Sequence, residues 1–471
     1  MHYDWLSLVP PLLAIILAIA TRQVYLSLFI GIWSGWIILS DGSFFGGLAA
    51  SIQACIDVFK DAGNTRVIIF CALIGALLTL MQRNGGVSGF ITWITNKNLV
   101  QSRRGASVLA WILGMVIFIE SSITCLISGA VSRPIFERLK ISREKLAYIL
   151  DSTSAPVCIL IPLNAWGAYV IGLIEREDIE NALSIFVSSI TVNFYAIFAV
   201  LIVGFVVISG IDIGPMRKAE RRAREEGKTI RDGAVPTVSE EITSIEPKDE
   251  SPQRPLNMLI PIIVMILMMP AGLYITGEGD ITAGTGTTAV LWSVLAAITT
   301  AGVLSVGQRI LHVREVMDLS LKGIGGLVPL AILMMLAFAI GDTSRELGTG
   351  IYVAGIADEF LQPELVAPVV FLAAAVIAFS TGTSWGTFAI MIPIALPTAL
   401  LMDIHAPLAL AAVLSGGVFG DHVSPISDTT LVSSMAAASD HIDHVTTQLP
   451  YASIAAGIAT LLFYMFGILM H

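Results

Sequence analysis

Four carboxylates stand inside apolar sequence in this chain of 471 residues: Glu120, Asp151, Asp421 and Asp428. An acid near the centre of a bilayer costs about 2.5–3.5 kcal/mol on insertion scales, so each needs a reason to be there. All four sit among hydroxyls and helix breakers. Glu120 opens ESSIT, with Ser122 and Thr124, and Asp151 opens DSTSAP, with Ser154 and Pro156. Asp421 and Asp428 lie in DHVSPISDT, with Pro425, Ser427 and Thr429. A further stretch, STGTSWGT, supplies Thr381, Thr383 and Ser384 without an acid.

Carboxylate, hydroxyl and carbonyl oxygens are the donors a hard cation prefers, and this set suits Na⁺. A proline inside a helix removes one N–H and disrupts the preceding turn, so breaks at Pro156 and Pro425 would free backbone carbonyls. The first reading is Na⁺/H⁺ exchange. Asp428 and Asp421, with Glu120 or Asp151, hold a proton or Na⁺ in turn, and the metal ion sits at Asp428 and its neighbouring oxygens. Ser122, Thr124, Thr381, Thr383 and Ser384 would complete the cage. The second reading is Na⁺-coupled symport or exchange of a small amino acid or organic acid, with Asn164, Trp166 and Trp385 shaping its pocket. The surplus of hydroxyls over the needs of one Na⁺ favours that alternative. His422 is either a proton carrier or a hydrogen-bond prop for Asp421.

A third reading takes Gly382-Thr383-Ser384-Trp385-Gly386 as G-x-S-x-G, with His422 as base, in an intramembrane serine hydrolase. That motif needs a strand before it and a helix after it, which an apolar hairpin does not offer. The protein is therefore read as a transporter and not an enzyme. There is no glycine-rich phosphate loop of the P-loop type, so an ion gradient rather than ATP is the expected energy source, with no cofactor. In Asp440-His441-Ile442-Asp443-His444 the two histidines share a helical face; a solvated or gating loop is expected there, with metal binding as the alternative.

The elements that position these groups follow from composition. Hydrophobic residues make up 55% and charged residues 13%, against about 25% charged in soluble domains. Runs of the roughly 20 apolar residues that a spanning helix needs recur throughout. The fold class is an all-α, multi-pass membrane protein of the cytoplasmic membrane, with lipid as its surroundings and no nucleic-acid partner. The N-terminal stretch reads as a first membrane helix rather than a signal peptide. Cys55, Cys71, Cys125 and Cys158 lie singly and read as buried thiols.

Apolar segments fall at about 5–20, 24–40, 67–82, 105–132, 146–174 and 183–210, and then at 257–275, 284–305, 323–341, 366–400, 406–435 and 450–470. Between the sets lies a charged stretch, 212–256, expected to be a short helix and a flexible, solvated cytoplasmic linker. Basic loops mark the cytoplasmic side. Those around Arg103 and around Arg133–Lys145 agree only if 105–132 is a re-entrant hairpin with FIESSITC at its tip. Segment 366–400 becomes a second hairpin, with FSTGTSWGT at its tip. Each half, 1–211 and 257–471, then has five crossings and one hairpin, and the odd number inverts the second half. Weak internal matches agree: SITCLISGAVSRP (Ser122–Pro134) with TGTSWGTFAIMIP (Thr381–Pro393), and DSTSAPV (Asp151–Val157) with GDHVSPI (Gly420–Ile426). Inverted repeats with interrupted helices at matching places point to a secondary transporter.

The stretch GDHVSPISDTTLVSSMAAASDHIDHVTTQLPYA (Gly420–Ala452) resembles the C-terminal signature of the NhaC family of Na⁺/H⁺ antiporters. DSTSAPVCILIPLNAWGAYVIG, STGTSWGTF and TRQVYLSLFIGIWSGW are similar to further motifs of that family, and Val423 departs from it where cysteine is common. The resemblance implies an ion transporter with inverted repeats, two hairpins and interrupted helices. It also implies a moving transport domain on a scaffold, often in a homodimer. The family includes proteins similar to malate–lactate exchangers and amino-acid carriers, so it leaves the counter-substrate open.

Overall fold

The computed structural model describes residues 4–21, 23–96, 102–118, 121–162, 164–177, 179, 181–236, 252–279, 284–425 and 427–469. Among the described residues the chain is helical, without strands, and nine helical stretches are long and apolar enough to cross a bilayer. In the first part, α1 (Val9–Thr21), α2 (Val24–Leu39), α3 (Phe44–Asp57), α4 (Ala62–Arg83) and α5 (Gly86–Asn96) precede a pair, α6 (Arg103–Val116) and α7 (Ser121–Arg138). Then come α8 (Arg143–Ser152), the single turn α9 (Ala155–Cys158), α10 (Ala165–Glu175), α11 (Ala182–Ile190) and α12 (Phe194–Ser209). A charged helix, α13 (Gly214–Glu225), leads to the second part. There α14 (Leu256–Thr276), α15 (Gly286–Gly307), α16 (Val313–Glu346) and α17 (Thr349–Phe360) precede a second pair, α18 (Pro363–Thr381) and α19 (Ser384–Leu401). The chain continues through α20 (Ala406–Val423), α21 (Asp428–Ala437) and α22 (His441–Leu469).

The helix starts are written in the sequence. Ser43, Asp61, Ser102, Ser142, Asn164 and Ser427 each accept a backbone N–H of the first turn with the side chain, which satisfies one of the donors a helix leaves unpaired there. Both expected hairpins are helix–break–helix units whose arms pack together. The second breaks at one sharp point: Gly382 ends α18 at φ +69°, and Thr383 is extended. A positive φ there favours glycine.

Helix α4 packs closely against α16. Where they cross, a Cβ on Gly75 would come within 2.2 Å of the carbonyl oxygen of Gly323, and a Cβ on Gly323 would come equally close to that of Gly75. Only glycine permits this approach, a device common between membrane helices. Helix α16 has 34 residues, which at 1.5 Å per residue makes it about 51 Å long. It runs well beyond the expected 323–341. All four cysteines are free and buried, as expected.

The short helix expected in 212–256 is present as α13, but it is docked. The first part of the 212–256 stretch is not a solvated connector. Helix α13 buries Met216, Ala219, Glu220 and Ala223, and the chain remains docked to residue 236. Arg143 N donates to Thr229 O at 3.0 Å, and Pro236 forms an isolated antiparallel bridge with Asp440. Composition reported the charge correctly, but the charges have partners: Lys145–Asp212 at 2.9 Å, Arg103–Glu220 at 2.6 Å and Arg222–Glu144 at 2.8 Å. Residues 237–251 lie outside the described set.

Candidate functional site

The acids divide into two centres, each at the break of an interrupted helix. Asp421 lies in the last turn of α20, and Ser424, Pro425 and Ser427 are non-helical before α21 begins. It is buried, and Ser384 Oγ, at the first residue of α19, donates to its Oδ2 at 2.7 Å. The backbone N–H of Ser384 and the hydroxyl of Ser427 face the same carboxylate. A helix N-terminus presents positive potential to an anion, so α19 is aimed where an acid gains from it. The remaining oxygen, Asp421 Oδ1, has no hydrogen-bond partner.

Asp151 lies in the last turn of α8, also buried. Gln448 Nε2 donates to its Oδ2 at 2.8 Å, His444 Nε2 lies 3.2 Å from the same oxygen, and His422 Nε2 lies 3.8 Å from it. Tyr195 hydroxyl and His422 Nδ1 share a 2.6 Å hydrogen bond, and Ser152 Oγ lies 3.3 Å from His422 Nε2. Gln448 also donates to the carbonyl of His422. His422 therefore joins the centres, as chain neighbour of Asp421 and facing Asp151. Three buried polar atoms here lack partners: Asp151 Oδ1, Gln448 Oε1 and His444 Nδ1.

The structure thus brings Asp151, Asp421, His422, Ser384 and Ser427 into one region. It gives other expected residues local duties. Ser154 Oγ donates to the Asp151 carbonyl at 2.9 Å, and Ser427 pairs with Thr429 at 3.0 Å while capping α21. Thr124 Oγ1 donates to Ile117 O across the first hairpin break. Asn164 caps α10 and donates to Phe118 O at 3.0 Å and Cys158 O at 2.8 Å, tying α10 to that hairpin. Thr383 is buried and precedes α19 without capping it through its side chain. Trp166 and Trp385 pack with ring centroids 4.8 Å apart, and Trp166 Nε1 is buried without a partner. Glu120 and the side chains of Ser122, Thr381 and Asp428 lie outside the described residues.

Two carbonyls at the helix breaks, one at Pro425 and one at the first hairpin, already face donors. His441 Nε2 lies 2.8 Å from Pro425 O, and Phe118 O accepts from Asn164. A carbonyl freed inside a membrane protein needs a donor, and at these two places a side chain supplies it. The Asp440–His444 reading needs a similar correction. His441 is tied to Ser434 and Pro425, and His444 is buried against Asp151 rather than solvated. His444, Gln448 and Tyr195 were missed as site residues. The spacing of His444 and Gln448, four apart on one helical face at the start of an apolar run, is the one sequence signal that could have singled them out.

The serine-hydrolase geometry is not formed by the described residues. Ser384 follows a helix rather than a strand and donates to Gly417 O and Asp421, while both His422 nitrogens face Tyr195, Ser152 and Asp151.

Comparisons with known proteins agree with this architecture. The model of the Na⁺/H⁺ antiporter family matches residues 157–468. An uncharacterized protein of Haemophilus influenzae is 35% identical over 98% of this chain and 90% of its own length. The malate-2H⁺/Na⁺-lactate antiporter of Bacillus subtilis is 34% identical over 22% of each chain. The crystal structure of the Alcanivorax borkumensis YdaH transporter shares the fold, with TM-score 0.59 at 13% identity over 89% of this chain and 88% of that one.

Proposed function

The chain belongs to the Na⁺/H⁺ antiporter family, and we propose that it is a Na⁺/H⁺ exchanger of the cytoplasmic membrane. In this reading two inverted repeats, 1–211 and 257–471, flank the segment 212–256 and alternate access to the broken helices. The carrying observation is the surroundings of Asp421. It is fully enclosed, its side-chain donors are neutral hydroxyls, and one oxygen is unpartnered. A buried carboxylate without a charged partner is too costly to keep ionised. It therefore travels with a proton or with a cation, never bare. That restriction is the coupling rule of an exchanger: either cargo permits reorientation, and absence of both forbids it.

Na⁺ would be held by Asp421, Ser384 and Ser427, with Asp428 as a further ligand on its sequence position. Asp151, with His444, Gln448 and His422, holds the helix ends in register and keeps the region polar. The test is reconstitution in proteoliposomes without organic solute. An imposed Na⁺ gradient is expected to move protons, and Asp428→Asn is expected to abolish sodium dependence while the protein still inserts. A sodium gradient that moves no protons, with Na⁺-dependent uptake of an amino or organic acid instead, overturns the exchange reading.

A second reading, Na⁺-coupled transport of a small organic acid, draws on the buried Trp166–Trp385 pair near Ser384 and its unpartnered indole N–H. The likeness to a protein named as a malate–lactate antiporter points the same way.

A further inference from the structure

The docked segment that follows α12 carries more positive charge than its ion pairs consume. Within α13, Glu220 is taken by Arg103 and by the backbone N–H of Ser142, while Arg222 is taken by Glu144. Arg217, Lys218, Arg221 and Arg224 project outward from the same helix. Arg217, Arg221 and Arg224 recur at three- and four-residue intervals and so form one stripe. The only acids among the exposed residues of this helix are at its end, at Glu225.

The stripe borders two adjoining clefts, of about 310 and 860 Å³. Arg104 lines the smaller one and Arg217, Lys218 and Arg221 the larger, while Arg224 and Gly210 line both. In the smaller cleft the acids Asp212 and Glu220 are already neutralised by Lys145 and Arg103, so the charge available to a ligand is positive.

A second feature meets the clefts from the membrane side. Leu201, Phe205, Ile208 and Ile211 are each more than half exposed on the final turns of α12 and just beyond it. The first three also recur at helical spacing, which makes a continuous apolar stripe. It ends at Gly210 and Ile211, which line the larger cleft. An apolar track leading into a basic cleft fits one class of molecule, an amphiphile with an anionic head. Basic loops of this kind lie on the cytoplasmic side, where anionic headgroups are attracted by about 1 kcal/mol per nearby Lys or Arg.

We propose that the clefts between α6, the end of α12 and α13 bind the headgroup of an anionic phospholipid, whose acyl chains lie along the exposed stripe of α12. Arg104, Arg217, Arg221 and Arg224 contact the phosphate. Because α13 is pinned to α8 through Arg222–Glu144, the lipid also steadies the helix that carries Asp151.

The experiment is native mass spectrometry of the full-length protein in detergent, titrated separately with phosphatidylglycerol, phosphatidylcholine and inorganic phosphate. One phosphatidylglycerol is expected to remain bound at concentrations where phosphatidylcholine does not. The triple change Arg217→Gln, Arg221→Gln and Arg224→Gln is expected to weaken that adduct at least tenfold. A matched pair in another basic loop, Arg309→Gln with Arg314→Gln, is expected to leave it unchanged. Should the triple variant prove unfolded by size exclusion, Arg104→Gln and Arg217→Gln singly are each expected to weaken binding about fivefold. Equal binding of both lipids, an unaffected triple variant, or equal loss in the control pair overturns the proposal. Displacement of the lipid by millimolar inorganic phosphate would make this a free-anion site, and overturns it as well.

Discussion

The two acid centres are built at matching breaks yet from different chemistry. Asp421 is surrounded by hydroxyls and a helix N-terminus from the second hairpin, close to it in sequence. Asp151 is surrounded by imidazoles and an amide from α20 and α22, almost three hundred residues away. The alignment of DSTSAPV with GDHVSPI places Ser152, not Asp151, opposite Asp421. One residue on a helix is a turn of about 100°, so the two acids project in different directions from equivalent backbones. In the proposed reading the two broken helices divide the work: a hydroxyl-lined centre of hard oxygens accepts the cation, while imidazoles and an amide around Asp151 hold the helix ends in register, each acid keeping one unpartnered oxygen.

Several changes would break or sharpen that division. The largest effect is expected from Asp421→Asn, which keeps the shape but removes the charge. Sodium-driven proton movement in proteoliposomes should fall at least a hundredfold, with unchanged insertion and thermal midpoint. Asp151→Asn should show the opposite pattern. It gives His444, Gln448 and His422 a neutral amide in place of the carboxylate, and hydrogen bonds to a charged group are worth about 1.5–3 kcal/mol. A lowered thermal midpoint should precede any change in sodium affinity. His444→Ala added to Asp151→Asn should cost little more, a non-additivity that a double-mutant cycle would read.

Ser384→Ala should be milder. It removes one hydrogen bond to a charged group, worth about 1.5–3 kcal/mol, so the sodium concentration for half-maximal exchange should rise roughly tenfold or more. If thermal stability falls and sodium affinity does not, the two centres share a role and the contrast fails.

The smallest effect concerns Asp440, outside the membrane. Burial alone would raise its pKa, but the N–H groups of Val235, Asp443 and Ile442 outweigh burial and hold it below 3.8. A depressed carboxylate contributes stability above its unfolded value and loses it as pH falls through the folded one. Protease protection of residues 226–236 should therefore be constant from neutral pH down to about the ordinary aspartate range and decline only below it. Asp440→Asn should remove that dependence.

Much of the fold was legible because apolar length and broken periodicity report directly on membrane helices. The hairpin breaks near Ile117 and Gly382, the helix ends at Ser152 and Val423, and the isolated thiols all followed from residue type. The partners did not. His444 read as part of a polar loop and Gln448 was not singled out, because their contact with Asp151 depends on how α22 crosses α8, which their shared helical face alone does not reveal. The docking of α13 was hidden for the same reason: a charge reads as solvated until its counter-charge is placed beside it. Hydroxyls were over-counted, since Ser154 and Thr124 spend themselves on nearby carbonyls.

The crossing of α4 and α16 carries a consequence of its own. Each glycine occupies the room made by the methyl group that the other lacks. A change at either position would be felt on both helices at once, and no compensating change at the partner can restore the spacing, because nothing is smaller than glycine. The gauge between α4 and α16 is thus set by two missing atoms that cannot drift one at a time.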